Sequence, residues 1–436
     1  MFWEKDVETM PRAELEALQL ERLKWVLRYA YERVPFYKER FDKAGVNPDR
    51  VKCLSDIEYF PYTTKDDLRD NYPLGLSAVP RAELVRIHGT SGTTGRPTLI
   101  GYTKRDLDTW SNLIARLATA VGVTREDVAQ MAFGYGLFTG GFGLHYGLEK
   151  IGCMVLPLSS GNTERHLYMM EDMGTTVLIA TPTYALYLSE MIKEKGIDRS
   201  RLKLRVGLFG GEGCTNEMRE TIERNMGIIA TDNYGMCELG GPGVAGECIE
   251  RQGLHFAEDC YLPEIIDSET LQVKPRGETG ELVITTLARE GFPVIRYRTK
   301  DITKINYEPC RCGRTHARMD KCKGRSDDML IIKGVNVFPS QIESVIVGME
   351  HVAPYYQLVV RREGFKDTLE VKVELADNSL LEKWQQLAAL EAGIRQKLHS
   401  ALGLDAKVCL VGNKTLERTT GKSKRVLDLR NERESN

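Results

Sequence analysis

An α/β fold is what this sequence predicts: a large N-terminal domain of helix-covered sheets with a β-rich part, over residues 1 to 326, and a small α+β C-terminal domain over 327 to 436. Three observations predict it. Between residues 100 and 235 helical and extended patterns alternate, as they do where helices cover a sheet. Past residue 245 the chain turns to short extended runs. Beyond residue 328 come two extended runs, one long helical run and a last extended run. A chain of 436 residues, 42% of them hydrophobic, is long enough for a sizeable core and for more than one domain.

The elements follow in order. Leu15, Leu18, Leu23, Val26, Leu27, Ala30 and Val34 recur at helical spacing and predict an amphipathic helix over 13 to 34. Residues 83 to 88, ELVRIH, alternate like a strand and run into HGTSGTTGRPT at 88 to 98. Glycine turns leave backbone N–H groups free to converge and hydroxyls add donors, so this loop is suited to wrapping an anion such as a triphosphate. It is not a Walker loop. Gly95 is followed by Arg96 and Pro97, and proline supplies neither a hydroxyl nor an N–H. Helical runs then cover 106 to 120, 165 to 173, 184 to 195 and 216 to 226, with extended runs at 155 to 158, 177 to 180, 204 to 209 and 228 to 231. Ligands of such sheets sit beyond the strand ends, which singles out GGE at 210 to 212 and YGMCE at 234 to 238. Further extended runs lie at 281 to 286 and 295 to 297, and KGRSDD at 323 to 328 reads as a linker. The small domain has extended runs at 356 to 361 and 369 to 375 about a turn at Glu363 and Gly364. A helix at 380 to 399 and a strand at 408 to 411 complete it.

Composition narrows the function. Sixty basic and 62 acidic residues give a net charge of −2, which points to neither nucleic acid nor an anionic membrane. No apolar run is long enough to span a bilayer, and the start, MFWEKDVETM, is too acidic for a signal peptide, so a cytoplasmic protein is expected. The ten cysteines are scattered apart from Cys310 and Cys312. In a reducing compartment that suits free thiols or metal ligands better than disulfides.

Five motifs stand in chain order: SGTTGRP (91 to 97), YGMCE (234 to 238), YRTKD (297 to 301), GRSDD (324 to 328) and TTGK (419 to 422). Together they resemble the adenylate-forming superfamily of acyl-CoA synthetases, adenylation domains and luciferases, over essentially the whole chain. Within it, FGYGLFTGGFGLHYG (133 to 147), GPGVAGE (241 to 247) and SDDMLIIKGVNVFPSQIE (326 to 343) look like the members that act on phenylacetate. The resemblance implies a large adenylate-forming domain and a small domain that rotates about a hinge. It also implies ATP-dependent, AMP-forming ligation of coenzyme A to phenylacetate or a close aryl acid through an acyl adenylate. Such chemistry concentrates negative charge, so it calls for backbone donors, a metal and a cation rather than a covalent nucleophile.

By the same resemblance, Ser91, Gly92, Thr93, Thr94, Gly95 and Arg96 line the phosphate loop, and Glu238 binds Mg. Gly210, Gly211, Glu212, Asn233, Tyr234, Gly235 and Met236 surround the adenine, with Tyr234 stacking on it. Asp301 accepts from the ribose hydroxyls, and Arg325 touches the ribose and phosphate side. Lys422 contacts the carboxylate and α-phosphate oxygens during adenylation. Asp327 matches the pivot, while Lys333 and Gly334 match the loop that lines the pantetheine tunnel. The chain departs from the pattern at Arg96, where many members have Lys, and at Cys237, where Ser or Thr is usual and a hydroxyl donor is weakened.

Tyr135, Phe142, Gly143, Pro242 and Gly243 are candidates for the acid pocket, because a glycine-rimmed apolar cavity with an aromatic wall suits a flat ring. Ordinary core serves equally well for Phe142. The turn CRCG at 310 to 313 is knuckle-like, and a zinc site needs two further ligands. Cys248 and His255 bracket a turn at Arg251 to Gly253 that can bring them together. A subset of the phenylacetate-type members carries such a segment. Cys260, Cys322 and His316 are rival ligands, and free thiols are the alternative. Coenzyme A and the acid are expected as small-molecule partners, and the oligomeric state, a homodimer included, stays open. Two other functions stay open: transfer of an aryl group to a carrier protein, and a catalytically silent nucleotide-binding zinc scaffold.

Overall fold

The computed structural model describes residues 1–90, 97–327, 330–332, 335–363, 366–417 and 425–430. They divide into two compact units. The first comprises residues 1–181, 197–211 and 228–322. The second comprises 182–196, 212–227 and the chain from 323 onward, so two stretches from the middle of the sequence belong with the C-terminal part.

In the first unit the helix Arg12–Arg33 buries Leu15, Leu23, Val26, Leu27 and Ala30, the stripe that its spacing predicts. It stops at Val34 because Pro35 has no N–H to continue the ladder; Pro35 instead opens the next helix, Pro35–Ala44, where a missing N–H costs nothing. A short antiparallel pair, Arg86–Gly89 with Leu99–Tyr102, flanks the candidate phosphate loop. The main sheet has nine strands among the described residues. In spatial order these are Ile305–Asn306, Arg318–Met319, Leu254–Phe256, Gly241–Glu247, Ile229–Met236, Val206–Gly210, Val177–Ala180, Val128–Met131 and Met154–Leu156. From Ile229–Met236 to Met154–Leu156 all pairings are parallel. Val177–Ala180 and Val206–Gly210 are buried along their whole length, hence their unbroken apolar character. Beyond Ile229–Met236 the pairing turns antiparallel. A second antiparallel sheet takes Tyr261–Ile266, Gly280–Thr286 and Tyr297–Thr303 side by side.

Some strands start later than expected: the run read at 83 to 88 begins only at Arg86, after the 3₁₀ turn Arg81–Glu83. The run predicted at 295 to 297 begins only at Tyr297 and continues to Thr303. Arg296 has a φ of 46°, and its guanidinium is held in the core by Glu264, at 2.6 and 3.1 Å, and by the carbonyls of Glu58 and Phe60. That anchored kink sets the strand start. The stretch read as a linker contains a short strand, Gly324–Arg325.

In the second unit, Val352–Glu363 and Lys366–Leu375 form a long antiparallel pair, joined in parallel by Lys407–Val411 on one side and Val426–Asp428 on the other. Helices Pro339–Ile346 and Trp384–Leu402 belong to the same unit; Ile342, Ile346, Ile394 and Leu398 form one core with Leu358, Val360, Val371 and Val373. This is the α+β arrangement predicted. No helix of the described residues is long and apolar enough to cross a membrane.

Candidate active site and metal centre

Of the predicted nucleotide residues, Gly210, Asn233 and Tyr234 lie toward the carboxyl ends of two neighbouring strands of the first unit. Gly210 pairs with Asn233, and there is no room for a side chain at Gly210: a Cβ would lie 2.7 Å from the Asn233 carbonyl. Asn233 Nδ2 donates to the Phe209 carbonyl at 2.6 Å, which fixes the crossing point of the two strands. One residue on, the Tyr234 hydroxyl donates to Asp301 Oδ2 at 2.6 Å. Two motifs 67 residues apart are thereby joined through side chains. Burial, with the Asp301 carboxylate beside it, pushes the Tyr234 phenol well up, so it stays a donor. Gly235 and Met236 close the strand, and Gly235 passes so near the Gly241 carbonyl that a Cβ would sit 2.1 Å from it.

Glu238 sits on the one-turn helix Cys237–Leu239 and is 4% exposed. Its carboxylate has no hydrogen bond or ion pair among the described residues, which leaves it open to a ligand. The second unit holds Glu212, which accepts the Thr183 N–H at 2.7 Å, and Arg325, whose fork meets both oxygens of Asp327 at 2.8 Å each. Ser91, Gly92, Thr93, Thr94, Gly95, Arg96, Lys333, Gly334 and Lys422 lie outside the described residues.

Of the acid-pocket candidates, Tyr135 and Phe142 meet edge to face with centroids 5.2 Å apart, and Tyr135 Oη lies 2.9 Å from His145 Nδ1. The glycines have a different neighbour. A Cβ on Gly143 would lie 2.2 Å from Trp110 Cζ2, one on Gly243 would lie 3.1 Å from Ile114, and the Pro242 carbonyl accepts Trp110 Nε1–H at 2.8 Å. These three residues let the strand Gly241–Glu247 and the helix Thr139–Ile151 close tightly on the helix Lys104–Ala120.

The metal candidates do converge. Cys248 and His255 are brought together by the antiparallel hairpin in which Gly246 pairs with His255, and the turn at Cys310 to Gly313 brings the other two. The ligand atoms of Cys248, His255, Cys310 and Cys312 all lie within 4.8 Å of one another. Cys248 and Cys310 sulfurs are 3.8 Å apart, and Cys312 Sγ is 3.4 Å from His255 Nε2. Tetrahedral zinc with Zn–S bonds of about 2.3 Å puts two sulfurs about 3.8 Å apart. His255 Nδ1 faces the His316 carbonyl at 3.2 Å, which orients Nε2 toward the thiols. The Cys312 thiol is driven down by its hydrogen bond with Cys248, with burial opposing and His255 adding; Cys248 is pushed up by the same bond and by burial. Among the rival ligands, His316 uses both ring nitrogens on the Phe256 and Val7 carbonyls. Cys260 faces Asp259.

Comparison with known proteins shows the family. The family model described as AMP-binding enzyme matches residues 8 to 287, and that of the AMP-binding enzyme C-terminal domain matches 334 to 430. The chain belongs to the AMP-binding enzyme family. It is 48% identical over 427 residues to the phenylacetate-coenzyme A ligase of Escherichia coli (strain K12), covering 98% of this chain and 97% of that one. It is 45% identical over 444 residues to the phenylacetate-coenzyme A ligase of Thermus thermophilus, covering 99% and 100%. Among solved structures, a 2-hydroxyisobutyryl-CoA ligase in the postadenylation state superposes with a TM-score of 0.92 at 29% identity, over 98% of this chain and 92% of that one. The adenylate-forming fold, with its large N-terminal and small C-terminal domain, is therefore the fold of this AMP-binding enzyme.

The sequence reading missed several residues around the site of this AMP-binding enzyme. Trp110, 5% exposed, stacks on Tyr102 at 5.2 Å and meets His88 edge-on at 5.6 Å. Its position on the buried stripe of a helix was legible; the glycines it touches were not. His88, the residue before the candidate phosphate loop, is 1% exposed and packs on Phe142; burial pushes its imidazole down. His145 bridges Tyr135 to Glu149 Oε1 at 3.0 Å. No local pattern announces these contacts, since each depends on tertiary packing.

Proposed function

We propose that this AMP-binding enzyme joins coenzyme A to phenylacetate, or a close aryl acid, by way of an acyl adenylate formed from ATP. The observation that carries the reading is the Tyr234–Asp301 contact, within a chain 48% identical over nearly its whole length to a phenylacetate-coenzyme A ligase. In this reading the Asp301 carboxylate accepts from the ribose hydroxyls and the Tyr234 ring offers a face to adenine. Ser91 to Arg96 are the phosphate donors in this reading. Lys422 stabilises charge as the acid attacks the α-phosphate, and Asp327 is the pivot that exchanges Lys422 for the Lys333–Gly334 loop before the thiol attacks. Arg325 acts on the ribose and phosphate side. Tyr135 and Phe142 form the wall against the aryl ring.

Two metals belong to the proposal. The carboxylate of Glu238, without a partner among the described residues, suits magnesium, a hard cation that takes oxygen ligands. Magnesium bound there with ATP neutralises phosphate charge. Cys248, His255, Cys310 and Cys312 suit zinc: three sulfurs and a nitrogen, with spacings that match a closed tetrahedral site. Its role is structural, because four protein ligands leave no open position. The loop behind these ligands also holds the amino-terminal segment: Arg314 meets Glu8 Oε2 at 2.7 Å and the Met1 carbonyl at 2.6 Å. The cytoplasm, where thiols stay reduced, is the compartment such a site favours.

The test is pyrophosphate release over a panel of aryl and aliphatic acids, with and without coenzyme A, on protein purified without chelator and assayed for metal. Release with phenylacetate and thioester only when coenzyme A is added support the reading, as does about one zinc per chain. A preference for long-chain fatty acids, or thioester only on a carrier protein, overturns the substrate assignment; well under one zinc overturns the metal assignment.

A further inference from the structure

The turn that presents Glu238 rests on a buried cation. Arg289 is 7% exposed, and among the described residues no carboxylate lies in ion-pairing distance of it. Its guanidinium lies over the Tyr102 ring, 4.6 Å from the centroid, and Nη2 donates to the Gly101 carbonyl at 3.3 Å. Among the described residues Arg289 Nε and the Tyr102 hydroxyl make no well-aligned hydrogen bond, although the guanidinium and the hydroxyl are close enough to influence each other's charge; both residues line a cavity of about 20 Å³ that Asp106, Gly240 and Tyr261 also face. Burial disfavours the charge, but the Asp106 carboxylate at the same cavity, with Tyr102 and Tyr261, keeps the guanidinium charged without a direct ion pair.

What Arg289 touches identifies its work. Gly240, two residues after Glu238, has a φ of 107°, and a Cβ there would lie 2.2 Å from Arg289 Nη1. The Tyr261 hydroxyl donates to the Leu239 carbonyl at 3.0 Å, and the Gly240 N–H closes the turn on the Cys237 carbonyl at 3.0 Å. The turn is thus held at Leu239 by Tyr261 and at Gly240 by Arg289, and Glu238 is the neighbour whose position these contacts set. Arg289 is held in turn: the next two N–H groups, of Glu290 and Gly291, both donate to the Asp106 carboxylate at 2.9 Å. We propose that Arg289 is a positioning residue for adenylation, whose guanidinium fixes the Cys237–Gly240 turn so that Glu238 is presented to magnesium. This rests on the assignment of Glu238 to magnesium made above.

The test compares Arg289→Met, Arg289→Lys and Glu238→Gln. Each is assayed for pyrophosphate release against magnesium concentration, for thioester formation from preformed phenylacetyl adenylate, and for melting temperature. Loss of a group that orients a metal ligand lowers metal affinity about 10- to 100-fold. Arg289→Met is expected to raise the magnesium half-saturation by about that factor, Arg289→Lys by less, with thioester formation from the adenylate changed less than about twofold. Should Arg289→Met not fold, Arg289→Lys carries the comparison. Unchanged magnesium half-saturation in the Arg289 variants, when Glu238→Gln shifts it, overturns this proposal alone. Unchanged half-saturation in Glu238→Gln overturns the magnesium assignment and this proposal with it. Equal loss in both half-reactions with a lowered melting temperature makes Arg289 a general packing residue and overturns the positioning role.

Discussion

Gly143→Ala separates a pocket-lining glycine from a packing glycine. The added methyl would lie 2.2 and 2.6 Å from Trp110 Cζ2 and Cε2, where carbon atoms prefer about 3.5 to 4.0 Å. Either the ring or the helix Thr139–Ile151 must retreat by more than about 1 Å. Trp110 is poorly placed to move: it is stacked on Tyr102, hydrogen-bonded to the Pro242 carbonyl at 2.8 Å, and already crowded by Gly241, where a Cβ would lie 2.4 Å away. Overpacking of this kind costs about 1 to 3 kcal/mol, and losing the indole hydrogen bond about 1 more. Alanine returns about 1 kcal/mol through helix propensity, which leaves a net destabilisation of about 1 to 3 kcal/mol. The control is Gly393→Ala in the helix Trp384–Leu402, where a Cβ would meet nothing within 4 Å; it should stabilise by about 0.5 to 1 kcal/mol. Thermal and denaturant unfolding of both variants, with the KM for phenylacetate, provide the readout. A Gly143→Ala protein as stable as wild type, with only the acid KM raised, would refute the packing argument and return Gly143 to the pocket wall.

Tyr234→Phe removes the donor to Asp301 Oδ2 and should raise the KM for ATP about tenfold while leaving that for the acid unchanged; an unaltered ATP KM would show that the hydroxyl does not orient the carboxylate. Asp259→Asn tests a charge buried against Arg116. Burial raises the carboxyl, but Arg116, at 2.7 Å, with His316 and Arg22, brings it below its ordinary 3.8 to about 2. A depressed acid stabilises the fold above its unfolded value, and that contribution is lost as pH falls through the folded one. The variant should therefore be less stable at neutral pH by about 2 kcal/mol, with the gap to wild type closing as the pH drops from 3.8 through about 2; a gap independent of pH in that window would contradict the assignment. Lys422→Ala should slow pyrophosphate release about a hundred- to a thousandfold yet spare thioester formation from supplied adenylate; equal loss in both would remove the two-state division of labour.

The elements with long periodic signals were legible. The helices Arg12–Arg33, Lys104–Ala120 and Asn216–Met226 and the strand Val177–Ala180 lie where apolar spacing puts them, because packing satisfies the same pattern that the sequence displays. The strand Val128–Met131 was not: unlike the equally short but wholly apolar Val177–Ala180, it carries a polar residue, Gln130, whose amide is satisfied in the core by His166 and Thr175. Gly241–Glu247 was read only as a motif because Gly and Pro disfavour strands. At Gly235 and Gly241, however, backbone and indole approach too closely for any side chain. In the site, residues to which the proposed function gives a chemical role, such as Asp301 and the four candidate metal ligands, were visible by type and motif. Residues given a positional role, such as Trp110 and Arg289, were not, because a helix stripe or a lone arginine says nothing about which segment it will meet.

The most direct test of the central claim is to look for the adenylate itself. With ATP, magnesium and phenylacetate but no coenzyme A, the enzyme should release pyrophosphate in an amount close to its own concentration and hold phenylacetyl adenylate. Adding coenzyme A should then give AMP and the thioester together. Formation of ADP and phosphate, or thioester without any adenylate captured on the enzyme, would contradict the account.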